Sequence, residues 1–236
     1  MHIHIQNAES LNHLPITQAQ WLAAGIYGHH VTFGAGPQDF AAQRETLEAL
    51  ISTPAEIKKL DLFSAKNLKL VQSTSAGVDA LLPFDRIPPD VLLMNNRGTH
   101  ALKAGEFALM AILMLVNNMP GFATAQRMRV WSRETAGLAR DKRLTVVGLG
   151  SLGGAAAQQG RYLGMKVTGI RFSPAPHPEC DVTLGLDALD GVLPQTDILL
   201  LACPLTPATT NLVSASRIAL LPPGAGVINI GRGRLI

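Results

Sequence analysis

Three glycines in the second half of the chain, Gly148, Gly150 and Gly153, stand in "GLGSLG" at the spacing G-x-G-x-x-G. That spacing suits a strand-to-helix turn that holds the diphosphate of a dinucleotide. The first glycine permits the tight turn, the second lets a pyrophosphate approach the backbone, and the third lets helix and strand pack closely. Ser151 and Leu152 complete the turn, and the amides from Gly150 to Gly153 would meet the phosphates at the positive end of the helix dipole. A purely steric glycine turn is the alternative. The phosphate reading requires a strand before, a helix after and a second strand beyond, and "LTVVGLG", "GGAAAQQGRYLG" and "KVTGIRF" supply all three.

The end of that second strand selects the nucleotide. An NAD site places Asp or Glu there to hold the ribose hydroxyls. This chain has Arg171, then Phe172 and Ser173, and no carboxylate until Glu179. A guanidinium takes a 2′-phosphate in a charge-assisted, often bidentate contact, so NADP(H) is favoured over NAD(H). A solvated strand-end arginine is the competing reading.

Those residues need a scaffold, and 236 residues are enough for one large domain or two small ones. Hydrophobic residues at 47% and charged residues at 16% fit a soluble, packed α/β protein. The net charge of +3 is slight and the Lys and Arg residues are scattered, which argues against a nucleic-acid binder. Cys180 and Cys203 have no metal-ligand or redox spacing, so no metal site is expected and a reducing cytoplasm is the easier reading. No signal peptide is visible at the start. The most apolar run, Phe107 to Val116, is too short to cross a bilayer and reads as a buried helix.

Strand signals occur at His2–Ile5, in "HHVTFG", at Leu68–Gln72 and at Val91–Asn96, while "TLEALIS" fits strand and helix equally. Leu68–Gln72 opens into a small-residue loop, Ser73 to Gly77. A long helix is predicted from about His100 to Met119, stopped by Pro120 and Gly121. The polar segment Gln126–Arg143 reads as the crossing between two domains. Beyond it, strands alternate with helices through "DILLLACP" and "GVINIGRG", the pattern of a parallel, doubly wound sheet.

"VVGLGSLGG", "CPLTPATTNLV" and "VINIGRGRLI", in that order, resemble the D-isomer-specific 2-hydroxyacid dehydrogenases, which include glyoxylate/hydroxypyruvate reductases. "LKLVQSTSAGVD" is similar to that family's substrate-carboxylate loop. "NNRGTHALKAGEFALMAILML" is similar to its interdomain helix, with Gly105-Glu106 replacing the usual Ala-Glu. The resemblance implies two doubly wound parallel-sheet domains: a flavodoxin-like substrate domain at 1–97, and at 98–236 a Rossmann NAD(P)-binding domain that begins with the interdomain helix at 100–119. It implies hydride transfer between NADP(H) and a small 2-keto or 2-hydroxy acid.

It also assigns residues. Amides around Ala76, Gly77 and Val78 would hold the substrate carboxylate as an anion nest, and His100 would lie near the substrate. Cys203, Pro204 and Thr206 would pass along the cofactor, with Ile230 and Gly231 beside them. An inert, buried thiol is the expected state of Cys203. Arg232 matches the catalytic arginine, a fixed cation that orients a keto acid and stabilises the charge growing on its carbonyl oxygen. A solvent-held strand-end arginine is the bland alternative.

The resemblance implies a further third of the family's length beyond Ile236, carrying a proton-donating histidine and the glutamate that orients it. On that expectation the Rossmann sheet is incomplete here and the 236-residue chain alone is slow or inactive. A nucleotide-binding or partner-binding remnant therefore stays open as a second reading, and a flavodoxin-like signalling module is a weaker third. A homodimer through the long helix follows from the resemblance alone; neither nucleic acid nor membrane is expected as a partner.

Overall fold

The computed structural model describes residues 1–6, 23–25, 27–133, 135 and 137–236. The chain separates into two compact units, Met1–Arg97 and Gly98–Ile236.

Among the described residues the first unit holds five strands: β1 (His2–Gln6), β2 (His30–Gly34), β3 (Ala49–Ser52), β4 (Leu70–Ser73) and β5 (Leu92–Met94). All pair in parallel, in the order β2-β1-β3-β4-β5. That is the flavodoxin-like order, with its switch point between β1 and β3. The ambiguous "TLEALIS" forms β3 because Ala49, Leu50 and Ser52 are buried between two neighbouring strands. Helices α1 (Pro37–Gln43) and α2 (Pro54–Ile57) each begin with proline, whose missing N–H costs nothing in a first turn. Phe40, Leu47, Leu50, Ile57, Leu62 and Val71 fill this unit's core.

Strand β1 departs from the apolar norm of a parallel sheet. His2, His4 and Gln6 are all buried and lie two apart, on one face. They join into a chain of hydrogen bonds: His2 Nδ1 to Thr46 Oγ1 at 2.9 Å, His2 Nε2 to Thr32 Oγ1 at 3.0 Å, Thr32 Oγ1 to His4 Nδ1 at 2.9 Å, and His4 Nε2 to Gln6 Oε1 at 2.8 Å. Because the Gln6 oxygen accepts only, His4 donates from Nε2; in the neutral ring, which burial favours, Nδ1 then accepts from the Thr32 hydroxyl. Gly34 leaves the room for it, since a Cβ there would stand 2.9 Å from the His4 ring.

The second unit opens with α3 (Ala101–Val116) and α4 (Met119–Met128), bent by 62° at the break between them. The predicted helix to Met119 ends earlier. Asn118 takes a left-handed conformation and stops it, and Pro120 sits in the first turn of α4 instead of terminating α3. The expected interdomain crossing at Gln126–Arg143 is also corrected. Its first residues close α4, positions 134 and 136 lie outside the described residues, and the units divide at Arg97/Gly98.

There follow β6 (Arg143–Val147), α5 (Ser151–Tyr162), β7 (Lys166–Ile170), β8 (Val182–Leu184), α6 (Leu189–Val192), β9 (Ile198–Leu201), α7 (Ala215–Ile218) and β10 (Gly226–Asn229). The strands are parallel in the order β10-β9-β6-β7-β8. Counted from β6 this is 3-2-1-4-5, the Rossmann order. Strand β9, "ILLL", is buried throughout because helices cover both faces of such a sheet. Helix α3 packs on α5 through Gly105, Ala108 and Ile112, spaced to share one helical face. Phe107, Met110 and Met114 remain exposed. Among the described residues no single helix is long and apolar enough to cross a membrane.

Burial at zero exposure lowers the His4 pKa below the ordinary histidine value of 6.5, against the opposing pull of Gln6 and Asp39. The folded state therefore binds fewer protons than the unfolded chain, and its stability is full above about pH 6.5 and declines as the pH falls below it. In a histidine NMR titration the His4 ring should stay neutral where a free imidazole is half protonated; an ordinary titration would contradict the neutral chain. Ile112→Ala, in the α3–α5 seam, should cost about 2–5 kcal/mol in urea unfolding, and a change within experimental error would deny that seam its role.

Candidate functional site

Strand β6 is buried from Leu144 to Val147, and its direction carries the chain straight into the glycine turn. Gly148 has φ +92, a conformation that L side chains rarely adopt. A Cβ there would also stand 2.6 Å from the backbone nitrogen of Cys203. A Cβ on Gly153 would collide with the Gly148 carbonyl oxygen, while the space above Gly150 is open to at least 4 Å. Gly150 is the N-cap of α5, and no side chain caps that end. The amides of Ser151, Leu152 and Gly153 find no acceptor among the described residues. The turn is thus packed tightly beneath and left open above, with three donors facing outward. These residues fit a bound diphosphate.

The neighbouring strand ends gather around this turn. Cys203, just past β9, packs on Gly148, and burial pushes its thiol pKa up, as an inert thiol requires. A Cβ on Gly231, just past β10, would stand 3.1 Å from the Cys203 carbonyl oxygen. Ile230 extends the β10–β9 ladder by donating to Leu201 at 2.9 Å. The carboxyl ends of β6, β9 and β10 therefore stand side by side where the strand order reverses, the usual ligand crevice of an open α/β sheet.

Arg171 and Ser173 lie beyond β7, which ends at Ile170 and not at the expected Phe172. The Arg171 amide donates to Leu184 at 3.0 Å, which holds the backbone in place. Its guanidinium makes no ion pair or hydrogen bond among the described residues. Pro204 and Thr206 belong to a loop locked by Thr209, a residue the sequence reading missed. The buried Thr209 hydroxyl donates to the Pro204 carbonyl at 2.7 Å and accepts from the Thr206 amide at 2.8 Å. "TPATT" offered a signal, because threonines two to three apart commonly close such turns on themselves.

Arg232 is exposed in the loop after β10. Asn229 shapes that loop by donating to the Arg232 carbonyl at 2.9 Å and accepting from the Gly231 amide at 3.0 Å. The Arg232 guanidinium reaches the Gly231 carbonyl at 3.3 Å. His100 occupies the N-cap position of α3 without a capping hydrogen bond from its side chain, and it is exposed.

In the first unit, the loop after β4 carries Ala76, Gly77 and Val78. Asn95 donates to the Ala76 carbonyl at 2.9 Å, Asn96 donates to the Thr74 carbonyl at 2.9 Å, and the Asn96 amide donates to the Ser75 carbonyl at 3.2 Å. The amides of Ala76, Gly77 and Val78 have no acceptor among the described residues. With the Thr74, Ser75 and Ala76 carbonyls occupied and three amides without an acceptor among the described residues, the loop has the polarity an anion requires. Sequence reasoning missed both asparagines, although "NN" directly follows the strand that pairs with β4.

Residues 109–236 match the family model described as "D-isomer specific 2-hydroxyacid dehydrogenase, NAD binding domain". The D-3-phosphoglycerate dehydrogenase of Sus scrofa is 28% identical over 84% of this chain, and the match spans 38% of that protein's length. A D-isomer specific 2-hydroxyacid dehydrogenase from Xanthobacter autotrophicus Py2, solved with NADPH, is 29% identical with a TM-score of 0.80, covering 99% of this chain and 73% of its own. An NADPH-dependent glyoxylate/hydroxypyruvate reductase from Sinorhizobium meliloti, solved with NADP, is 26% identical with a TM-score of 0.77, covering 100% and 74%. With more than half of its residues inside the family model and the Rossmann order in its second sheet, the chain belongs to the D-isomer specific 2-hydroxyacid dehydrogenase family.

Proposed function

We propose that the protein carrying this chain is an oxidoreductase that moves a hydride between NADP(H) and a small 2-keto or 2-hydroxy acid of the glyoxylate or hydroxypyruvate type. The observation that carries this reading is the presence, on one unit, of three amides at the start of α5 and a guanidinium at Arg171 that have no partner among the described residues. The amides suit the diphosphate and the guanidinium suits a 2′-phosphate. The NADPH-dependent reductase from Sinorhizobium meliloti supports the same choice of nucleotide and substrate class.

The remaining roles follow from the same chemistry. The nucleotide supplies or accepts the hydride. Free amides at Ala76–Val78 hold a carboxylate, and the first unit serves as the substrate domain. Arg232 orients the keto acid and stabilises charge on its carbonyl oxygen, with His100 lining the substrate site. Cys203, Pro204, Thr206, Ile230 and Gly231 border the nucleotide. The exposed apolar row Phe107, Met110 and Met114 on α3 supports a homodimer, and two free cysteines suit a cytoplasmic location.

Arg171→Ala should weaken NADPH binding by about 10- to 100-fold, the size of a charge-assisted contact, and leave NADH nearly unchanged. Equal affinities of the unaltered protein for NADPH and NADH would remove the role. Arg232→Lys keeps the charge but loses the planar fork, so kcat/KM for glyoxylate should fall by about 10²-fold or more. Near-normal turnover in that variant would refute the assignment, and full nucleotide binding with no turnover in the unaltered protein would favour a binding role.

A further inference from the structure

Gly154 follows the G-x-G-x-x-G pattern, and nothing in that pattern needs it. A Cβ at Gly154 would stand 3.2 Å from Nε2 and 3.4 Å from Cε1 of His177. The two consecutive glycines therefore serve different neighbours: Gly153 lets the helix approach Gly148, and Gly154 seats an imidazole on the first turn of α5.

The loop after Arg171 is built to hold that ring there. The His177 amide donates to Thr183 Oγ1 at 3.2 Å, and its carbonyl accepts from the Cys180 amide at 3.0 Å. Further along, Arg161 Nη1 donates to the Pro178 carbonyl at 3.2 Å. Residues 154 and 161 lie two helical turns apart on one face of α5, so the loop is strapped along that face. The ring's own nitrogens are then distinguished. Nδ1 accepts from the Glu179 amide at 3.3 Å, so the proton of a neutral ring sits on Nε2. Nε2 has no acceptor among the described residues. An oriented donor stands beside a phosphate-binding turn, on the loop that begins with the uncommitted Arg171.

We propose that His177 is a further specificity-determining residue of the nucleotide site, donating from Nε2 to the phosphate on the adenosine ribose that Arg171 also recognises. This rests on the NADP(H) reading above. Glutamine keeps a donor near the Nε2 position, leucine removes it, and Gly154→Ala crowds the ring, with a Cβ 3.2 Å from Nε2, without touching its chemistry.

The test is calorimetric binding of 2′,5′-ADP and of 5′-AMP, which differ only in the phosphate on the ribose 2′ position. His177→Leu should weaken 2′,5′-ADP on the order of tenfold, the size of one hydrogen bond to a charged group, and Gly154→Ala should weaken it by less. Both should leave 5′-AMP within about twofold, and His177→Gln should retain most of the 2′,5′-ADP affinity. A preference for 2′,5′-ADP that survives intact in His177→Leu, or an equal loss for both ligands in that variant, would overturn this proposal alone. An unaltered protein that binds both ligands equally would overturn the NADP(H) reading together with it.

Discussion

The approach of the Gly148–Gly153 turn to the backbone of Cys203 is the constraint on which the second unit depends. Side chains at Gly148 and Gly153 would run into backbone atoms, which cannot rotate aside as a flexible side chain can. The close fit lets α5 begin directly over the ends of β6 and β9, with its first amides uncapped. A helix end without a cap is a cost in an ordinary fold. At the carboxyl edge of a parallel sheet it becomes a place where an anion can stand in for the cap.

Other parts of the unit are arranged to keep that edge open. Leu149 turns under the sheet to fill the space above Gly169, where a Cβ would also stand 2.8 Å from Cys180 Sγ. Thr209 draws the loop after β9 in on itself, and Asn229 does the same for the loop after β10. In both cases a short polar side chain satisfies backbone groups that would otherwise need water or a ligand. The first unit applies the same economy to a different backbone. Asn95 and Asn96 occupy the Ala76 and Thr74 carbonyls of the loop after β4, while the amides of Ala76, Gly77 and Val78 have no acceptor among the described residues. The loop after β4 and the turn after β6 thus each present three amides without an acceptor among the described residues, a polarity suited to carboxylates and phosphates.

The sequence made the two sheets and the glycine turn legible, because their signals are local. Apolar runs of four or five residues and glycines at fixed offsets report sterics within a few residues. What stayed hidden depends on partners distant in the chain. "TLEALIS" chose the strand only because β1 and β4 flank it. The end of α3 was set by the left-handed Asn118, while Pro120, read as a stop, starts the next helix. Arg171 was expected on the strand and stands just past it, since pairing with β8 ends at Ile170. The histidine chain on β1 was invisible as well: "HIHI" reads as an alternating strand, and only Thr32 and Thr46 explain why its polar face is buried.

Amide chemical shifts during an NADPH titration test the central claim, that a diphosphate completes the open end of α5. The expected result is that Ser151, Leu152 and Gly153 shift most strongly and saturate together with the nucleotide. Binding that leaves those three amides unmoved would contradict it.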